Sequence, residues 1–223
     1  MKRYFFILAA MTMVIMPFLA SCSDKDDDGK TDEFANWQSR TDAYFSSIRS
    51  TSLKAIATAK SAYSDKWMEH CDWRTYLSYS LNPSSKNNTS TDSIHVKILK
   101  RGTGTECPIS TDSVRVFYAG YLIPTDLHAD GMLFDHSGQS TIEENIFDHE
   151  KGMPASMLIS SCTRGFATAL QYMHIGDKWR IYVPDKLGDD KVASNSVPAY
   201  STLVFDVELV QFARAGHRLP AWR

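Results

Sequence analysis

The densest run of ligand-type side chains in this sequence is His128, Asp130, Asp135 and His136, followed by Asp148, His149 and Glu150. Imidazoles and carboxylates this close could hold a divalent cation. Their intervals fit no established metal site, however, and Asp130-Gly131 already has a turn to make. Asp189 and Asp190 stand side by side without the alternating oxygen ligands of a calcium loop. No metal site is expected. Nucleophilic catalysis finds no support either, since there is no G-x-S-x-G elbow, no HExxH pair and no phosphate-cradling glycine loop. Cys71, Cys107 and Cys162 are never at CxxC spacing, so thiol redox chemistry is not expected, although an oxidising compartment could pair two of them. No cofactor is implied. What the C-terminal part has instead is aromatic residues near the expected loops.

The composition that must position these residues is ordinary for a globular chain. It is 43% hydrophobic and 22% charged, with formal net charge −2, which excludes a disordered chain and gives no reason to expect nucleic acid as a partner. Residues 1–21 read as a separate leader. Lys2 and Arg3 precede the apolar stretch Tyr4 to Phe18, which is short for a permanent span of ~20 residues. Leu19-Ala20-Ser21-Cys22 then resembles a bacterial lipobox, in which Cys22 is lipidated and becomes the new N-terminus. The polar, acidic residues 22–31 read as a tether off the membrane, and are similar to tags that route some Gram-negative lipoproteins to the outer surface. The expected location is the cell envelope, lipid-anchored, at the outer membrane.

From Asp32 to about Ala62, Phe34, Trp37, Tyr44, Phe45, Ile48, Leu53 and Ile56 recur at mostly helical intervals with no proline or glycine between them. A helical arm is expected over 32–81 and a polar linker over 82–91. Beyond it the period becomes two, in Ile94/Val96/Ile98, Val114/Val116/Tyr118, Trp179/Ile181/Val183 and Leu203/Phe205/Val207/Leu209. These predict an antiparallel sheet with one buried face, packed on a short helix marked by Phe166, Ala169, Leu170 and Met173. The fold class is α+β, its sheet domain spans 92–212 and is expected to fold without the arm, and 213–223 is a tail.

Four segments of that domain resemble one family. Val116-Phe117-Tyr118-Ala119-Gly120-Tyr121-Leu122 and Asp130-Gly131-Met132-Leu133-Phe134-Asp135-His136-Ser137 are similar to the strand–turn–strand of FKBP-type peptidyl-prolyl isomerases. Residues 165–184 resemble the family's helix and following strand, and residues 197–209 its last strand. The resemblance implies an antiparallel half-barrel sheet wrapped on a short helix, acting on Xaa-Pro bonds of polypeptides. It assigns Tyr118, Phe134 and Phe205 to the walls of an aromatic socket, Phe166 to its floor and Asp135 to its rim. Met157, Cys162, Thr163, Val197 and Tyr200 would bind substrate, Thr163 through its backbone N–H. Asp189 stands where the family carries a tyrosine whose hydroxyl donates to the bound carbonyl, so reduced activity is expected. The arm is similar to those of envelope isomerases that dimerise or cradle clients. Two further readings remain open, a prolyl-binding chaperone module with little turnover and a scaffold that uses the fold as a rigid body.

Overall fold

The computed structural model describes residues 32–138, 146–188 and 196–222; Cys22, Asp189 and Asp190 lie outside them. The element order is α1 (Trp37–Tyr63), β1 (Trp73–Leu77), β2 (Ser93–Lys100), β3 (Ser113–Tyr121), β4 (Leu133–His136), β5 (Ala155–Leu158), α2 (Arg164–Leu170), β6 (Lys178–Val183) and β7 (Leu203–Ala213). Every pairing is antiparallel, in the order β1-β2-β6-β7-β3-β4, with β5 also on β3. The runs of period two all fall in strands, and their apolar members make one core with Phe166, Ala169, Leu170 and Met173. The expected α+β class holds. Helix α2 is shorter than its periodicity, ending at Leu170, while Met173 stays buried in the turn that follows.

The outer face of the sheet is covered as well. Alternation with one buried face would leave His95, Tyr182 and Phe117 in water, yet all three are buried. Over β1, β2 and β6 the cover is α1, which sets Phe45 against His95 (5.4 Å) and Tyr44 against Tyr182 (6.4 Å). Over β3 it is the tail, where Trp222 meets the Phe117 ring edge-on at 5.7 Å. Its 27 residues give α1 a length of roughly 40 Å. Its buried stripe is Trp37, Thr41, Phe45, Ser52, Ile56 and Ala59, whereas Leu53, assigned to the stripe from its spacing, is 39% exposed.

The arm is neither wholly helical nor separate. Helix α1 ends at Tyr63, and residues 73–77, expected within the arm, are the edge strand β1. Asp32–Arg223 form a single compact unit. Helix α1 also grips the segment leading into β7. The Trp37 indole N–H donates to Ser201 Oγ (2.9 Å), and the Thr41 hydroxyl donates to the Tyr200 carbonyl (2.8 Å). Tyr200 is held there at φ 62°, a left-handed conformation costly for a residue with a side chain. The loop 123–129 docks on the approach to the same helix, where Thr125 Oγ1 and His128 Nδ1 reach Glu33 Oε1 at 2.5 and 2.7 Å.

Burial under α1 makes His95 a pH-sensitive point. Desolvation first, and Arg49 second, lower its pKa from 6.5 to about 4. Its Nδ1 lies 3.0 Å from Thr75 Oγ1, and Nε2 has no partner among the described residues. The folded state thus holds the neutral ring, while the unfolded chain takes up a proton as pH falls through 6.5. The resulting stability is complete above that value and declines between 6.5 and 4, by up to ~3 kcal/mol. Urea unfolding at pH 7 and 4.5 should show the decline in the wild type and a flatter profile in His95→Gln. Equal slopes in the two proteins would remove His95 from the account.

Candidate functional site

Strands β3, β4 and β7 meet at a point where one side chain is missing. Gly120 lies opposite Phe205 on one side and Asp135 on the other. A Cβ at residue 120 would come within 2.7 Å of Phe134 Cζ and 2.9 Å of Phe205 Cε1. Glycine therefore lets both rings lean over the strand, and they meet edge-on, with centroids 5.6 Å apart. Phe166, buried on α2, closes the base at 5.0 Å from Phe205 and 5.9 Å from Tyr118, again edge-on in each case. This is the preferred aromatic geometry, so the four rings fix one another.

The result is an open pocket of about 330 Å³ lined by Tyr118, Phe134, Asp135, Met157, Ser161, Cys162, Thr163, Phe166, Leu203 and Phe205. Its polar groups sit on two sides. At the β3–β4 rim the Tyr118 hydroxyl donates to Asp135 Oδ2 (2.8 Å). Burial, and then the Asp135 carboxylate, push the phenol well above its usual range, so it keeps its proton. The Asp135 Oδ1 accepts the His136 N–H (2.9 Å), which holds the carboxylate from its other edge. On the α2 side the Thr163 backbone N–H has no acceptor among the described residues. The Thr163 Oγ1, buried as an atom, likewise has none. Beside it Cys162 Sγ lies 3.5 Å from Met157 Sδ, and burial raises the thiol to about 11. A thiol so protonated is a soft apolar wall and not a nucleophile.

Of the residues assigned from sequence, the structure brings together Tyr118, Phe134, Asp135, Met157, Cys162, Thr163, Phe166 and Phe205. It does not bring Val197 or Tyr200 to the lining: Val197 is buried in the core, and Tyr200 occupies the turn held by Thr41. Asp189 lies outside the described residues. Two lining residues went unassigned. Leu203 stands two positions before Phe205 on the same strand face, a period that could have found it; Ser161, in a 3-10 turn, carried no such signal. The polar cluster 128–150 is dispersed, with His128 on Glu33, Asp135 on Tyr118 and His149 on Glu208. Among the described residues no His, Cys, Asp and Glu side chains group in a way that could hold a metal, and all three cysteines are free.

Residues 104–210 match the family model described as FKBP-type peptidyl-prolyl cis-trans isomerase. The chain is 33% identical over 125 residues to an FKBP-type 22 kDa peptidyl-prolyl cis-trans isomerase of Escherichia coli, covering 56% of this chain and 52% of that protein. It is 29% identical over 123 residues to the outer membrane protein MIP of Legionella longbeachae, covering 55% of this chain and 45% of that one. The chain spans about half the length of these curated relatives. Among solved structures, FkpA from Escherichia coli superposes with a TM-score of 0.45 at 24% identity, over 82% of this chain and 70% of that one.

Proposed function

We propose, for a chain that through residues 104–210 belongs to the FKBP-type peptidyl-prolyl cis-trans isomerases, that it isomerises Xaa-Pro bonds of envelope or surface polypeptides in the pocket over Phe166. The observation that carries this reading is the ring cluster itself: four aromatic side chains around a space for a proline-sized group, with an unused backbone N–H at its edge. Rotation about the Xaa-Pro bond faces a barrier of roughly 18–20 kcal/mol, because the amide has partial double-bond character. Water stabilises the charge-separated form that gives it that character. A pocket that strips water from the amide and holds it twisted lowers the barrier with no acid or base. Each ~1.4 kcal/mol so removed is tenfold in rate.

In this scheme Tyr118, Phe134 and Phe205 are the walls, Phe166 is the floor, and Met157 and Cys162 complete the apolar lining. The Thr163 N–H donates to a substrate carbonyl. Asp135 positions the Tyr118 phenol. Val197 supports the core behind the socket, and Tyr200 belongs to the turn that frames it. Asp189 favours a second reading, a prolyl-binding chaperone with slow turnover. A carboxylate accepts and cannot donate, and it is costly to bury unpaired, so it would turn to water and let solvent reach the amide. Lipid anchoring through Cys22 at the outer membrane fits the lipobox and the envelope relative. Pairing of two copies through the arm would have to use the face carrying Leu53, since the Trp37–Ala59 stripe is already buried within its own chain.

NMR exchange spectroscopy of cis and trans Xaa-Pro peptides with the purified protein separates these readings. Saturable line broadening with accelerated exchange marks an isomerase, and binding without exchange marks the chaperone module. A protein that does neither refutes both. Phe134→Ala should weaken binding by ~1–3 kcal/mol, the scale of one buried aromatic contact, while leaving the domain folded. Undiminished affinity in that variant would move the site elsewhere.

A further inference from the structure

Cys162 lines a second recess as well as the prolyl pocket. This recess has a volume of about 380 Å³ and shares only Cys162 with the lining of the ring-cluster pocket. One wall is α2, through Arg164, Thr168 and Gln171; the other is Ser78, Tyr79 and Ser80, the segment that follows β1. The second wall lies outside the residues matched to the family, so it is a feature of this chain's own N-terminal part.

Both walls are fixed. The Tyr79 N–H donates to Thr168 Oγ1 (3.3 Å), and the Thr168 hydroxyl donates in turn to the Arg164 carbonyl (2.7 Å). The Ser78 N–H is bound to the Asp92 carbonyl, and the Tyr79 ring stacks on Tyr172 at 4.8 Å. The chemistry is one-sided. Ser80, Ser110 and Ser160 are among its lining residues, with the Ser80 hydroxyl 2.9 Å from that of Ser78; Arg164 is its one charged residue, and no carboxylate lines it. The Arg164 guanidinium gives Nη2 to the Lys186 carbonyl and has no ion-pair partner among the described residues.

Cys162 is shared by the two spaces and precedes Thr163, so a polypeptide whose proline sat over Phe166 and whose carbonyl took the Thr163 N–H would bring the side chain next to the proline to the mouth of the recess. An apolar side chain there would leave the Arg164 cation without a counter-charge, and a lysine would face it. A carboxylate would find a guanidinium and hydroxyl donors there and no competing carboxylate. We propose that this recess is a substrate subsite for an acidic side chain flanking the proline, with Arg164 as its specificity-determining residue. This rests on the isomerase reading above.

The test compares Ala-Pro parent peptides with versions carrying Glu or Lys immediately before or after the Xaa-Pro pair, assayed by exchange spectroscopy at low salt. At one of the two positions Glu should exceed Lys in kcat/KM by about three- to fivefold, the scale of a partly exposed ion pair, and the preference should shrink at high salt. Arg164→Gln should remove the preference and Arg164→Glu invert it, with the parent peptide unchanged in both. Ser80→Asp, on the opposite wall and off α2, should lower the preference independently. A Glu/Lys ratio that is the same in wild type and Arg164→Gln, or no discrimination at either position, overturns the subsite. A parent peptide that neither binds nor exchanges would instead remove the isomerase reading, and the subsite with it.

Discussion

A chain beginning at Thr91 is expected to lose its cooperative unfolding transition. The truncation strips β1 from β2 and leaves the β2 edge unpaired. It uncovers His95 and Tyr182 on the outer face by removing Phe45 and Tyr44. It also takes Tyr76 out of its stack with Tyr172 (3.8 Å) and Trp179 (6.0 Å), and Trp37 off Ser201. Removing a single buried Phe or Trp side chain typically costs ~3–5 kcal/mol. Several such losses together exceed the ~5–15 kcal/mol that holds a domain folded. Near-UV circular dichroism and urea titration of the truncated and longer chains check this. A sharp transition within ~1 kcal/mol of the longer chain's would show that residues 32–90 are an appendage.

Filling the space above Gly120 should abolish peptide binding. In Gly120→Val the Cβ alone comes within 3 Å of both Phe134 and Phe205, before its two methyls are accommodated. Both rings must swing, so two aromatic contacts to the proline are lost together. At ~1–3 kcal/mol for each, affinity should fall by roughly a hundredfold or more. Overpacking also costs stability, ~1–3 kcal/mol, so Gly120→Ala provides a milder step with the same sign. Titration calorimetry on variants shown to be folded is the measurement. Wild-type affinity in folded Gly120→Val would mean that prolyl peptides bind somewhere else.

What could be read from sequence followed from how each element is buried. Strands β2, β3, β6 and β7 carry apolar residues at period two because their inner face meets α2, and they were legible for that reason. Strand β1 was not. Its inner face includes Arg74, buried with its guanidinium on the carbonyls of Met68, Cys71 and Trp73, and its outer Thr75 lies 3.3 Å from Ser52 of α1. Polar residues satisfied in this way erase the alternation. Leu53 was misplaced for the converse reason: the buried stripe passes through Ser52, a polar residue that an apolar pattern skips. The socket residues were legible through family motifs. Val197 and Tyr200 were not placed by them, because their positions depend on hydrogen bonds made across the fold by Thr41 and on packing in the core.

The grip of α1 on the turn before β7 has a consequence for biosynthesis. Trp37 and Ser201 are 164 residues apart in the chain, and Thr41 and Tyr200 are 159 apart. A ribosome releases the helix among the first described residues and the turn among the last. For nearly the whole of translation α1 can form, but the segment its leading turns will hold does not yet exist. Its apolar stripe must then stay solvated, or be shielded by another protein, until the strands that it covers arrive. Contacts this distant in sequence close late, because the loop entropy falls due before they reward it. The turn before β7 is therefore set at the end of folding, and a nascent chain holds α1 without the segment that its leading turns grip.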